Sequence, residues 1–183
     1  MKLEELYKYC DKCKKCDLYK TRNHMVFGNG NINADIMFIG EGPGRQEDLS
    51  GKVFVGAAGQ LLDKMLSAID IRREDVYIAN IIKCRPPQNR DPLVEEREAC
   101  LDYLREQVRI INPKIIVCLG RISAITIMDS NMKITKEHGK WMKKGKFWMI
   151  ATFHPAALLY DDSKKKDSWE DLKKIKEKLN EVD

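Results

Sequence analysis

A chain of 183 residues with 43% hydrophobic content can bury one sizeable core but is too short for two ordinary domains, so residues 1–183 are expected to form one domain. No stretch approaches the roughly 20 consecutive apolar residues of a membrane helix, and Met1-Lys2-Leu3-Glu4-Glu5 lacks the apolar segment of a signal peptide, so a cytoplasmic protein with no membrane partner is expected. The net charge is +5 and the isoelectric point near 8.8, with Lys133, Lys136, Lys140, Lys143, Lys144 and Lys146 gathered around the lone acid Glu137. Such a patch attracts a polyanion, but a lysine-rich loop is also ordinary solvated surface, so charge alone does not define a nucleic-acid site.

In a reducing compartment the six cysteines read as metal ligands, catalytic thiols or core residues rather than disulfides. Cys13 and Cys16 form a C-x-x-C pair whose sulfurs can face one metal, and Cys84 and Cys100 lie farther along the chain. Four thiolates suit zinc or an iron-sulfur cluster equally, and Cys10, three residues before Cys13, competes as a ligand. Cys118, inside the apolar run Ile115-Ile116-Val117-Cys118-Leu119, reads as core filling.

The first predicted strand, Asp35 to Ile39, runs into Gly40-Glu41-Gly42-Pro43-Gly44. Its G-x-G-x-G spacing is not the G-x-G-x-x-G dinucleotide fingerprint, and Arg45-Gln46-Glu47-Asp48 leads into Ser50-Gly51 rather than a clean helix. A G-x-x-x-x-G-K-[ST] phosphate loop is also absent, which argues against a nucleotide-dependent enzyme. Leu61, Leu62, Met65, Leu66 and Ile69 recur at helical spacing. A second strand, Val76 to Ile82, carries Asn80 near its end. Leu101, Leu104, Val108 and Ile111 mark a helix opening with Glu95, Glu96 and Glu98, acids that suit the positive end of its dipole. A strand at Ile115 to Leu119, a helix at Ile122 to Met128, a strand at Phe147 to Thr152 and a helix at Trp169 to Leu179 complete the order, the last dozen residues reading as a solvated helix.

Strand and helix alternate throughout, which predicts an α/β fold with a central, mainly parallel sheet of four strands covered on both faces. In such sheets the ligand crevice lies beyond the carboxyl ends of the strands. The 40–44 turn, Asn80, Gly120 and His154-Pro155 all fall at that edge. A buried Asn80 must satisfy a carbonyl and an amide, either through the backbone or through a ligand. His154, between Phe153 and Pro155 at a strand end, reads by itself more often as structural than as catalytic.

Five stretches together resemble the iron-sulfur, or family-4, uracil-DNA glycosylases: Cys13-Lys-Lys-Cys16 followed by Thr21-Arg22; Gly40-Glu-Gly-Pro-Gly-Arg-Gln-Glu-Asp48; Phe54-Val-Gly-Ala-Ala-Gly-Gln-Leu-Leu62; Asn80-Ile-Ile-Lys-Cys-Arg-Pro-Pro-Gln-Asn-Arg90; and Phe153-His-Pro-Ala156. They run from about residue 10 to 160 in the family's order. The resemblance implies a three-layer αβα sandwich and an N-terminal segment binding a 4Fe-4S cluster through Cys13, Cys16, Cys84 and Cys100, with Cys10 left out. It also implies hydrolytic release of uracil from single- or double-stranded DNA by a monomer, the first step of base excision repair. No protein partner, such as a sliding clamp, is legible.

The resemblance assigns uracil contacts to Glu41, Gly42, Phe54, Asn80 and His154: Phe54 stacks on the base, Asn80 reads it, and His154 donates to uracil O2. Related glycosylases outside the iron-sulfur branch carry an aspartate where Gly42 stands, so the water-orienting carboxylate falls to Glu47 or Glu41, with Glu47 preferred. The motif departs from the family after Leu158-Leu159, where Tyr160-Asp161-Asp162 replaces an expected basic residue; Lys164, Lys165 and Lys166 are candidates for that phosphate contact. Two rivals stand beside this reading. A non-catalytic DNA-binding module is disfavoured by Phe54, Asn80 and His154 occurring together, and a covalently DNA-attached variant by the lack of an extra basic, histidine-containing loop between Gln60 and Asp75.

Overall fold

The computed structural model describes residues 1–183. Six strands form one sheet: β1 (Asn29–Gly30), β2 (Ile36–Gly40), β3 (Tyr77–Asn80), β4 (Ile115–Leu119), β5 (Met142–Lys144) and β6 (Phe147–Thr152). Their order is β1-β3-β2-β4-β6-β5, with β3, β2, β4 and β6 mutually parallel and both edges antiparallel. The sheet is therefore mixed and six-stranded, not four-stranded as expected. The edges escaped notice because β1 is the dipeptide Asn-Gly and β5 is Met-Lys-Lys, neither rich in β-branched or aromatic residues. Short, lysine-bearing edges also resist pairing with other chains.

Eight helices accompany the sheet: α1 (Leu3–Asp11), α2 (Arg45–Ser50), α3 (Ala57–Ala68), α4 (Val94–Ile111), α5 (Arg121–Ile127), α6 (Ile134–Glu137), α7 (Pro155–Tyr160) and α8 (Lys165–Val182). Successive residues of the central strands face opposite sides. Phe38, Ile78, Val117 and Ile150 pack with Leu62 and Leu66 of α3, Leu158 of α7, and Leu172 and Ile175 of α8. On the other face, Met37, Ile39, Ile116 and Cys118 pack with Leu104 and Ile111 of α4 and Ala124 of α5. Helices on both faces of one sheet make three layers, and each fully buried Leu, Ile or Phe contributes roughly 1.5–3 kcal/mol of hydrophobic stabilisation. Cys118 is a core residue, fully buried.

Three local expectations are corrected. Residues 45–50 do form a helix: the Glu47 carboxylate reaches back to the Gly44 N–H, and Gly51 closes the turn at φ 73°. Six residues are too few to show an apolar period. The lysine-rich segment is not a plain loop, because it contributes α6 and β5. Finally, the C-terminal helix is a packed layer rather than a solvated appendage, since Leu172 and Ile175 are buried against the sheet.

Candidate active site

The carboxyl ends of the parallel strands open onto a cleft of about 450 Å³, lined among others by Glu41, Gly42, Glu47, Phe54, Asn80 and His154. All the residues expected at a base-binding site thus meet in one place, drawn from the ends of β2, β3 and β6, from α2, and from the loops before α2 and α3. Pairing continues past the formal strand ends, as Ile81 N–H donates to the Gly40 carbonyl and Ile82 N–H to the Glu41 carbonyl. The glycine turn and the Asn80 loop are therefore held as one unit.

Asn80 is 1% exposed, and its side-chain carbonyl Oδ1 is buried without any hydrogen-bond partner. An unpaired buried acceptor costs about 1–3 kcal/mol, which leaves this oxygen open to a donor that enters the cleft. Gly40 makes the crowding around it tolerable: a Cβ at that position would sit 2.5 Å from Asn80 Oδ1 and 2.7 Å from the Phe54 ring. Phe54 in turn lies with its ring centroid 5.5 Å from that of His154, the planes inclined by 28°.

His154 caps α7, its Nδ1 accepting from the Ala156 N–H at 3.1 Å. An Nδ1 that accepts carries no proton, so the neutral ring has its proton on Nε2. Burial lowers the pKa of His154 from 6.5 to about 4, so the ring is neutral at physiological pH.

The two carboxylates differ. Both oxygens of Glu47 are engaged by backbone N–H groups: Oε1 accepts from Gly44 at 3.1 Å, and Oε2 from Val55 at 2.9 Å and Gly56 at 2.6 Å. Glu41 accepts one bond, from Ile122 N–H to Oε2 at 2.7 Å. Its carboxyl lies next to His154, since a Cβ on Gly120 would be 3.1 Å from Glu41 Cδ and 3.0 Å from His154 Cβ. Burial raises the pKa of Glu41, partly opposed by the Ile122 N–H.

Cys10, Cys13, Cys16, Cys84 and Cys100 line a second, mostly apolar cavity on the α4 side. No three Cys, His, Asp or Glu side chains converge as a single metal ion would require. The donor set nevertheless suits a thiolate-bound group. Burial pushes the Cys100 thiol up to about 11 and the Cys10 thiol to about 12, and raises Cys16 and Cys84, so ionisation here needs positive charge nearby. Arg22 supplies some, its Nη1 lying 3.2 Å from Cys84 Sγ.

Lys83 supplies more. It is 1% exposed, and burial pulls its ammonium down to about 8. Its Nζ donates to the main-chain carbonyl of Asn80 at 2.9 Å and to Gln107 Oε1 at 2.6 Å. The sequence reading missed this bridge between the two cavities. A lysine closing the apolar run Ile81-Ile82 was the available signal, whereas nothing marked Gln107 within its amphipathic helix.

The lysine patch does not gather at the cleft. Residues 144–146 turn at the amino end of β6, away from the cleft, where Lys144 donates to the Ile127 carbonyl and Lys146 to Asn112. The cleft's own cationic lining is Arg45 and Arg90, and its mouth carries Leu159, 49% exposed, and Tyr160, 91% exposed. Lys164 and Lys165 are turned toward Asp161 and Asp162 on their own segment.

The profile of the Uracil DNA glycosylase superfamily matches residues 27–173, a span that contains every cleft residue named above. The chain belongs to the uracil DNA glycosylase superfamily. Among similar members of the superfamily, the type-4 uracil-DNA glycosylase of Archaeoglobus fulgidus is 49% identical over 96% of this chain and 92% of its own length. Those of Saccharolobus solfataricus and Thermotoga maritima are 48% and 45% identical, covering 92% and 90% of this chain and 82% and 88% of their own. No helix is long and apolar enough to cross a membrane.

Proposed function

We propose that the cleft receives a uracil base flipped out of DNA and hydrolyses its N-glycosidic bond, releasing uracil and leaving an abasic site that initiates base excision repair. The observation that carries this reading is the unpaired, buried Oδ1 of Asn80. It accepts from uracil N3–H while the same amide donates to O4. Cytosine presents the opposite pattern and leaves both groups unpaired, at roughly 1–3 kcal/mol each. Extrusion of the base costs a few kcal/mol, recovered in part by stacking on Phe54.

Bond cleavage builds negative charge on the departing base and positive charge on the sugar. Neutral His154 donates from Nε2 to uracil O2, aided by backbone N–H groups around Gly42. Glu41, with one oxygen free of protein partners, orients the water and faces the sugar cation. Glu47 is committed to three backbone N–H groups, which favours Glu41 of the two carboxylates for this role. Cys13, Cys16, Cys84 and Cys100 would hold a 4Fe-4S cluster, with Cys10 alongside as a spectator. When bound, the cluster supplies a rigid cross-link rather than a chemical step.

The test is incubation of the purified protein with single- and double-stranded uracil oligonucleotides, followed by alkali and a denaturing gel. Strand scission at uracil is expected, and Asn80→Ala should lower its rate at least about 30-fold, the equivalent of two unmade hydrogen bonds. No scission of either substrate would refute the proposal.

A further inference from the structure

Phe54 is one of five non-glycine residues with positive φ, at +48°, a conformation that L-residues adopt only when the surroundings impose it. Two opposite charges grip its backbone. The Arg73 guanidinium, from the 3-10 turn Arg73–Asp75 before β3, donates through Nη1 to the Phe54 carbonyl at 2.7 Å and through Nη2 to the Val53 carbonyl at 2.5 Å. On the following peptides, Glu47 collects the N–H groups of Val55 and Gly56. Asp63 of α3 holds Arg73 in position at 2.9 Å. Gly59 completes the grip, since a Cβ there would lie 1.9 Å from the Phe54 carbonyl oxygen.

We infer that Arg73 is a positioning residue for base capture: it lies outside the cleft lining and sets the left-handed turn that holds the Phe54 ring in the cleft. The planar fork of a guanidinium is what makes this possible, because it spans two consecutive carbonyls at once, whereas an ammonium is a single point. The Arg73–Asp63 pair is itself part-exposed and contributes little to overall stability as an ion pair. Its effect is local and falls on one ring. This inference rests on the assignment of Phe54 as the base-stacking residue.

The test combines kinetics with a direct view of the ring. Single-turnover uracil release is measured for Arg73→Met, Arg73→Lys and Phe54→Ala, and for each Arg73 variant combined with Phe54→Ala. Phe ring signals are followed by NMR in selectively 13C-labelled protein, with Phe54 assigned through Phe54→Leu. Arg73→Met should slow release roughly 10- to 100-fold and shift the Phe54 ring signal, and Arg73→Lys should recover part of both.

In the Phe54→Ala background the same Arg73 change should alter the rate by under about twofold. An equal slowing in both backgrounds, or an unmoved Phe54 signal, would overturn the inference. If Arg73→Met does not fold, Arg73→Lys carries both comparisons. If the unmodified protein releases no uracil, the glycosylase reading fails, and the NMR comparison alone still decides whether Arg73 sets the position of Phe54.

Discussion

His154 can serve as a hydrogen-bond donor to a departing base because of where its proton is held. The Ala156 N–H occupies Nδ1, so a proton on the neutral ring must sit on Nε2, and burial keeps a second proton off until the pH falls to about 4. Acidification therefore titrates a group whose folded pKa lies below its ordinary 6.5. The unfolded chain takes up the proton first, so the stability contribution of His154 falls as the pH drops from about 6.5 toward 4 and changes no further below that. Single-turnover rates should be flat with respect to this group at neutral pH and decline with an apparent pKa near 4, because protonation gives the ring its second N–H at Nδ1, where it opposes the Ala156 N–H. His154→Ala should remove that limb and lower the rate about 100- to 1,000-fold, as loss of one oxyanion donor does. An acid limb that persists unchanged in the variant would assign it to another group.

At the scale of elements, α2 and the loop before α3 are joined through a single carboxylate. Glu47 satisfies an N–H at the start of its own helix and two at the start of the next, so it acts as a fastener between segments. Glu47→Gln keeps the shape but puts a non-accepting NH2 against at least one of these N–H groups and removes the charge from the other bonds, and should destabilise the protein by about 1–3 kcal/mol in urea unfolding. Glu41→Gln should leave stability closer to unchanged while reducing single-turnover uracil release more than Glu47→Gln does, both measured well below the melting temperatures. The opposite ranking would return the water-orienting role to Glu47. The elements themselves differed in legibility. Strands such as Ile115–Leu119 declared themselves by continuous apolar runs, and α4 by its period. Residues 45–50 and Met142–Lys144 lacked any period, because a hydrogen-bonded side chain and an edge position decide their structure.

Across the whole molecule, the cysteine-lined cavity and the cleft share a wall. Lys83 bridges from that cavity to the Asn80 carbonyl, and the loop that begins at Cys84 ends as cleft lining at Pro86, Asn89 and Arg90. A group bound by Cys13, Cys16, Cys84 and Cys100 would tie the segment after α1 to that loop and to α4. Cys16→Ala should accordingly lose iron and sulfide by chemical analysis and lower the melting temperature by roughly 6–12 °C, the equivalent of about 3 kcal/mol for a chain of this size. A variant with full iron content and unchanged melting would show that Cys16 is not a ligand. From the sequence alone came the parallel core, the edge at which the cleft opens and the motif residues that line it, because apolar runs, glycine turns and motif order are local properties of a chain. Only the tertiary structure decided which oxygens of Glu41 and Glu47 are free, that Asn80 Oδ1 has no partner, which His154 nitrogen bears the proton, and that Lys83 and Arg73 reach segments remote from their own. Those are questions of hydrogen-bond partnership between residues distant in the chain, and no periodicity or spacing encodes them.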